Sequence, residues 1–140
     1  MLNRSSLSFP AELERLPDMI RFIDAWCEEI HLRKDRSHSL RLIVDELVSN
    51  ICRQSLLQPN VSIVLTLFRS EDTVTLEIQD SGVPFNPSEH KEPDTSLPLE
   101  KRPIGGLGLL LVRRLSKAWG YRRENGQNLQ TVVLDNRDNL

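Results

Sequence analysis

Cysteine, aromatic residues and net charge are all scarce in this chain. Only two cysteines, Cys27 and Cys52, occur among 140 residues, and they form no C-x-x-C pair. That excludes a disulfide framework and argues against a structural metal, so both thiols are expected to be reduced. Eighteen Lys and Arg stand against twenty Asp and Glu, a formal charge of −2, which leaves no bulk basic excess to grip nucleic-acid phosphates. No apolar run approaches the ~20 residues that a membrane-spanning helix needs. The opening MLNRSSLSFPAEL lacks an extended apolar stretch followed by a small-residue cleavage site. A cytoplasmic protein with no direct nucleic-acid or membrane contact is expected. With 39% hydrophobic and 27% charged residues, the chain has the composition of one folded domain spanning 1–140.

Hydrophobic spacing supplies the elements. Leu7 to Phe9 reads as a short edge strand stopped by Pro10. Between Leu13 and Ile30 the residues Leu16, Met19, Ile20, Ile23, Trp26, Cys27 and Ile30 recur three and four apart, one face of an amphipathic helix, with Pro17 tolerable in its first turn. Ser37 offers a helix cap, and behind it Leu40, Ile43, Val44, Leu47, Val48 and Ile51 form the cleanest stripe in the chain. Val61 to Phe68 and Thr73 to Gln79 alternate as a hairpin around Arg69 to Asp72.

From Asp80 to Ile104 lie five of the eight prolines and few large apolar residues, the makings of a long functional loop, with a lid at about 86–104. A third helix is expected over Leu107 to Trp119, closed by Gly120. Strands Tyr121 to Glu124 and Leu129 to Leu134 then flank the turn Asn125-Gly126. Together these predict an α+β two-layer sandwich, a mixed and mostly antiparallel sheet with helices on one face.

Three short segments could carry chemistry. Glu46 and Asn50, four apart on a helix, project within ~40° of each other on one edge of the apolar stripe. There a carboxylate can accept a proton, and an amide oxygen can ligate Mg²⁺ shared with phosphate. Asp80-Ser81-Gly82-Val83-Pro84-Phe85 follows a strand. Its carboxylate can accept from an exocyclic amine such as adenine N6, and Gly82 lets backbone approach a flat ring. Gly105-Gly106-Leu107-Gly108 opens a helix, where free N–H groups and the dipole suit a triphosphate. Taken singly, each has an ordinary counterpart: a solvated helix face, a turn, a hinge. Neither common nucleotide loop, G-x-G-x-x-G or G-x-x-x-x-G-K-[ST], is present.

Their order is more specific than any one of them. Helix with E-x-x-x-N, hairpin ending in D-x-G-x-P-F, lid, then G-G-L-G opening a helix resembles the GHKL ATPase superfamily of gyrase, histidine kinases and mismatch-repair ATPases. Within it the chain is most similar to the free-standing anti-sigma-factor serine kinases, across nearly its whole length. The resemblance implies ATP and Mg²⁺ as cofactors, with Glu46 as the general base for a partner's serine and Asn50 as metal ligand. It also implies Asp80 and Gly82 in the adenine box, Gly106, Leu107 and Gly108 around the phosphates, and Thr131 near the adenine. A lid cation reaching the γ-phosphate would be Lys101 or Arg102.

The partners so implied are an antagonist protein of the anti-anti-sigma type, a sigma factor or analogous target, and a second copy of the chain in a homodimer. The activity is phosphorylation of a serine on the antagonist, with a switch module that binds ATP without phosphotransfer as the alternative. The sequence departs from the family at Ile51-Cys52-Arg53-Gln54-Ser55, where relatives carry a His-Ala or similar pair, and in a lid rich in proline and acid (Glu89, Glu92, Asp94, Glu100).

Overall fold

A computed structural model describes residues 4–87 and 106–137. The elements run β1 (Arg4–Pro10), a single 3-10 turn (Leu13–Arg15), α1 (Leu16–Glu29), α2 (Lys34–Gln54), β2 (Ser62–Arg69), β3 (Thr73–Asp80), α3 (Gly106–Leu115), β4 (Ala118–Glu124) and β5 (Gln127–Asp135). The strands form one sheet in the order β1-β2-β3-β5-β4, and all four pairings are antiparallel. Helices α1, α2 and α3 pack side by side with α2 in the middle. The α+β two-layer architecture is the one expected. Among the described residues no helix is long and apolar enough to cross a membrane.

The core lies between the layers because each element carries apolar residues at its own period. Helix α2 buries Leu40, Ile43, Val44, Leu47, Val48 and Ile51, and α1 buries Met19, Ile23, Trp26 and Cys27. Opposite them stand Ile63, Leu65 and Leu67 of β2, Val74, Leu76 and Ile78 of β3, and Val132 and Leu134 of β5. Both cysteines are free and buried, and burial pushes the Cys52 thiol up to about 11, which leaves it unreactive. The last hairpin turns through Asn125 (φ 53°) and Gly126 (φ 74°), the pair of left-handed residues that a two-residue turn requires.

Three local expectations are corrected. Ser37 does not cap α2, which begins at Lys34. Asp35 supplies first-turn negative charge and accepts from the Arg36 N–H at 2.9 Å, while the Ser37 hydroxyl donates back to the Arg33 carbonyl at 3.2 Å. Helix α3 ends at Leu115 rather than Trp119, and Gly120 is no helix terminator: it lies within β4, paired with Thr131. Sheet formation overrides helical periodicity here, since the Lys117 N–H donates to the Val133 carbonyl at 2.7 Å and Trp119 pairs with Val132. Strand β5 starts at Gln127, two residues before Leu129. The expected lid lies outside the described residues beyond Pro87, as do Lys101 and Arg102.

Leu47 is fully buried at the centre of α2, against the sheet. Leu47→Ala is expected to lower unfolding free energy by about 2–5 kcal/mol, read from urea denaturation curves.

Candidate functional site

Strand β3 ends on a buried acid. Asp80 is 4% exposed and sits between two strands, paired with Ile63 of β2 and Asn128 of β5. Its Oδ1 accepts the Gly82 N–H at 2.9 Å and the Asn128 side-chain amide at 3.0 Å. Gly82 is glycine for close approach and not for an unusual φ, since a Cβ there would stand 2.9 Å from Asp80 Oδ1. These residues line a small cleft walled by Ile51 of α2 and Ser55 just after it, and by Asn128 and Gln130 of β5.

The other end of the site is on α2. The Asn50 side-chain amide donates to Glu46 Oε1 at 3.3 Å, and both residues are half-buried. Glu46 lies five residues before Ile51 on the same helix, roughly 7.5 Å along the axis, so one rigid element carries both the cleft wall and the Glu46 carboxylate. The Asn50 oxygen accepts from Arg53, whose side chain is exposed. A single amide oxygen suits Mg²⁺, which takes few protein ligands and keeps water and phosphate oxygens, once Arg53 swings aside. When bound, the ion would screen phosphate charge.

Helix α3 closes on this carboxylate. A Cβ added to Gly108 would run into the Glu46 carboxyl group, so the absence of a side chain is what lets α3 pack there. Gly106 and Leu107 form the first turn of α3. Thr131 pairs with Glu77 and Gly120, and in the alternation of β5 it lies on the face opposite Asn128 and Gln130. Those two residues, not Thr131, line the cleft beside Asp80.

The sequence reading passed over Asn128, Gln130, Tyr121 and Arg123. Tyr121 donates to Asn128 Oδ1 at 2.6 Å, and Arg123 donates to the same oxygen at 3.1 Å and to the Gly82 carbonyl at 3.0 Å. A signal did exist: Asn128 and Gln130 are polar yet fall in phase with Val132 and Leu134 on the buried face of β5.

Burial pushes the Asp80 carboxyl above the ordinary carboxylate range, while hydrogen bonds from Asn128 and Gly82 and the charge of Arg123 pull it back only in part. A value raised in the folded state favours folding at low pH, and that contribution is lost as pH rises through it. Asp80→Asn keeps an acceptor for both N–H groups and removes the buried charge. It is expected to melt at or above wild type at pH 7, the difference vanishing below about pH 4, in thermal denaturation across pH.

Gly108→Ala tests the helix contact. Helix propensity favours alanine by about 1 kcal/mol, while the added methyl obliges the flexible end of the half-buried Glu46 side chain to swing away from α3, so that gain is expected to be offset in part. The offset should disappear in a Glu46→Ala background, measured as a double-mutant cycle of unfolding free energies.

Residues 9–134 match the family described as the histidine kinase-like ATPase domain. Over 113 residues the chain is 33% identical to the serine/threonine-protein kinase BtrW of Bordetella bronchiseptica, an overlap of 77% of this chain and 80% of that protein. With this match over most of its length and a helix bearing Glu46 and Asn50 that also walls the Asp80 cleft, the chain belongs to the histidine kinase-like ATPase family, GHKL.

Proposed function

We propose that this chain is a cytoplasmic ATP-binding protein serine kinase of the anti-sigma type. It phosphorylates a small antagonist protein of the anti-anti-sigma type, sequesters a sigma factor or analogous regulator when the antagonist is modified, and works as a homodimer. The observation that carries the kinase reading is the Glu46 carboxylate, half-buried and hydrogen-bonded to Asn50 on the helix that also walls the Asp80 cleft. Support comes from similarity to a protein whose name is serine/threonine-protein kinase.

In this reading Asp80 accepts from the adenine amine, and the first turn of α3 faces the phosphates with its N–H groups. Asn50 holds Mg²⁺ on the triphosphate. Glu46 takes the proton of the partner's serine hydroxyl as that oxygen bonds to the γ-phosphorus, the bond to the β–γ bridging oxygen breaks, and ADP leaves. One observation favours the alternative, an ATP-binding switch without phosphotransfer: Arg53 donates to the very Asn50 oxygen that the metal would need.

Glu46→Gln separates the two. It keeps shape and helix while removing proton acceptance, so ATP affinity should change less than about tenfold while the single-turnover rate of antagonist phosphorylation falls about 10²–10⁴-fold. The assay uses labelled Mg-ATP and a small antagonist-type protein encoded beside this one. A wild-type protein that binds ATP and transfers nothing supports the switch, and a mutant at full rate removes Glu46 from the chemistry.

A further inference from the structure

Asn128 sits at the junction of five polar contacts beside Asp80. Its Nδ2 donates to Asp80 Oδ1 at 3.0 Å and to the Val83 carbonyl at 2.7 Å. Its Oδ1 accepts from Tyr121 Oη at 2.6 Å, Arg123 Nη1 at 3.1 Å and the Phe85 N–H at 3.4 Å. Exchanging the two amide atoms would set the oxygen against two acceptors and the NH₂ against the Arg123 and Phe85 donors, so only one orientation satisfies the network.

That orientation has a consequence for ligand choice. Among the described residues both hydrogen bonds to Asp80 end on Oδ1, from Gly82 and Asn128. Oδ2 is left as an acceptor, matched to a base bearing an exocyclic amine and mismatched to one bearing a carbonyl at that position. Burial works the other way, because a buried carboxyl gains by taking a proton, and a protonated Oδ2 would donate to a carbonyl such as guanine O6. The donor from Asn128 opposes that protonation.

We propose that Asn128 is a specificity-determining positioning residue: its amide, locked by Tyr121 and Arg123, keeps Asp80 an acceptor and makes the cleft select adenine over guanine nucleotides. The proposal rests on the nucleotide reading above. Arg123 and Tyr121 of β4 are the charged and titratable groups facing this cluster, while the end of α2 and the residue after it bring Ile51, Gln54 and Ser55, none of which titrates in the accessible range.

Asn128→Asp is the test, with ATP and GTP affinities of the full chain measured by calorimetry from pH 5.5 to 8.5. The substitution puts a second carboxylate where the donor stood, and two acids in hydrogen-bond contact titrate as a coupled pair, one of them holding its proton to higher pH than a lone carboxyl would. Wild type is expected to prefer ATP by roughly ten- to a hundredfold at every pH, the size of one buried polar mismatch. In Asn128→Asp the preference should fall toward parity and vary with pH. A role in folding alone would weaken both nucleotides equally with no pH dependence, and that result, or an unchanged ratio, overturns the proposal.

Tyr121→Phe supplies the second readout should the first variant not fold. It removes one lock on the amide and should lower the ATP-to-GTP ratio by about two- to tenfold; an unchanged ratio overturns the proposal. Wild type that binds no adenine nucleotide overturns the underlying reading itself, whereas wild-type selectivity that survives both variants overturns only the role of Asn128.

Discussion

A carboxylate that is 4% exposed at the end of a central strand sets the terms for everything around it. A buried charge is tolerated only when donors surround it, and Asp80 obtains them from the backbone at Gly82 and from Asn128 across the β3–β5 pairing. Several sequence choices follow. Position 82 must lack a side chain, since a Cβ would press on the acid. β4 and β5, which could have been apolar on their inner face throughout, instead turn polar at Tyr121, Arg123, Asn128 and Gln130. Arg123 then ties the loop to the sheet through the Gly82 carbonyl.

The second constraint is that one helix does two jobs at different angles. The buried stripe of α2 anchors it to the sheet, which fixes its rotation, and that rotation determines where Glu46 and Asn50 emerge. Both are therefore held at the layer boundary by packing energy several turns long rather than by their own single 3.3 Å hydrogen bond. Helix α3 exploits the result, since Gly108 allows it to approach a carboxylate that any larger residue would displace.

Legibility from sequence followed the strength of local signals. The α2 stripe, the β2–β3 hairpin and the Asn125-Gly126 turn were all readable, because each depends on residues within one element. Helix α3 was read too long, since Trp119 continues the helical period yet is claimed by Val132 in the neighbouring strand. Thr131 was placed near the adenine by the family resemblance, but its phase in β5 puts it on the face away from Asp80. Asn128 was not read as a site residue because its contacts are with donors from β4 and an acid from β3, 48 residues away in the case of Asp80. No local pattern encodes that convergence; only the phase of Asn128 with the core of β5 hints at it.

The two acids at the ends of the site show how environment divides labour between like groups. Asp80 is nearly enclosed and is gripped by donors from a loop and a strand, so its orientation is fixed and its burial is a standing cost to the fold. Glu46 is half-buried, receives one long hydrogen bond and faces a helix that leaves room only because of a glycine. Under the proposed function Asp80 is an anchor that must not change partners and Glu46 a proton acceptor that must, and burial with multiple donors against partial exposure with one donor would be the physical form of that difference. Under the proposed function the rigid α2 between them converts recognition at one end into placement at the other: a base seated against Ile51 and Ser55 would extend its phosphates along the helix toward Asn50 and Glu46. Helix packing, more than any direct contact between the two acids, would then set the distance that the chemistry requires.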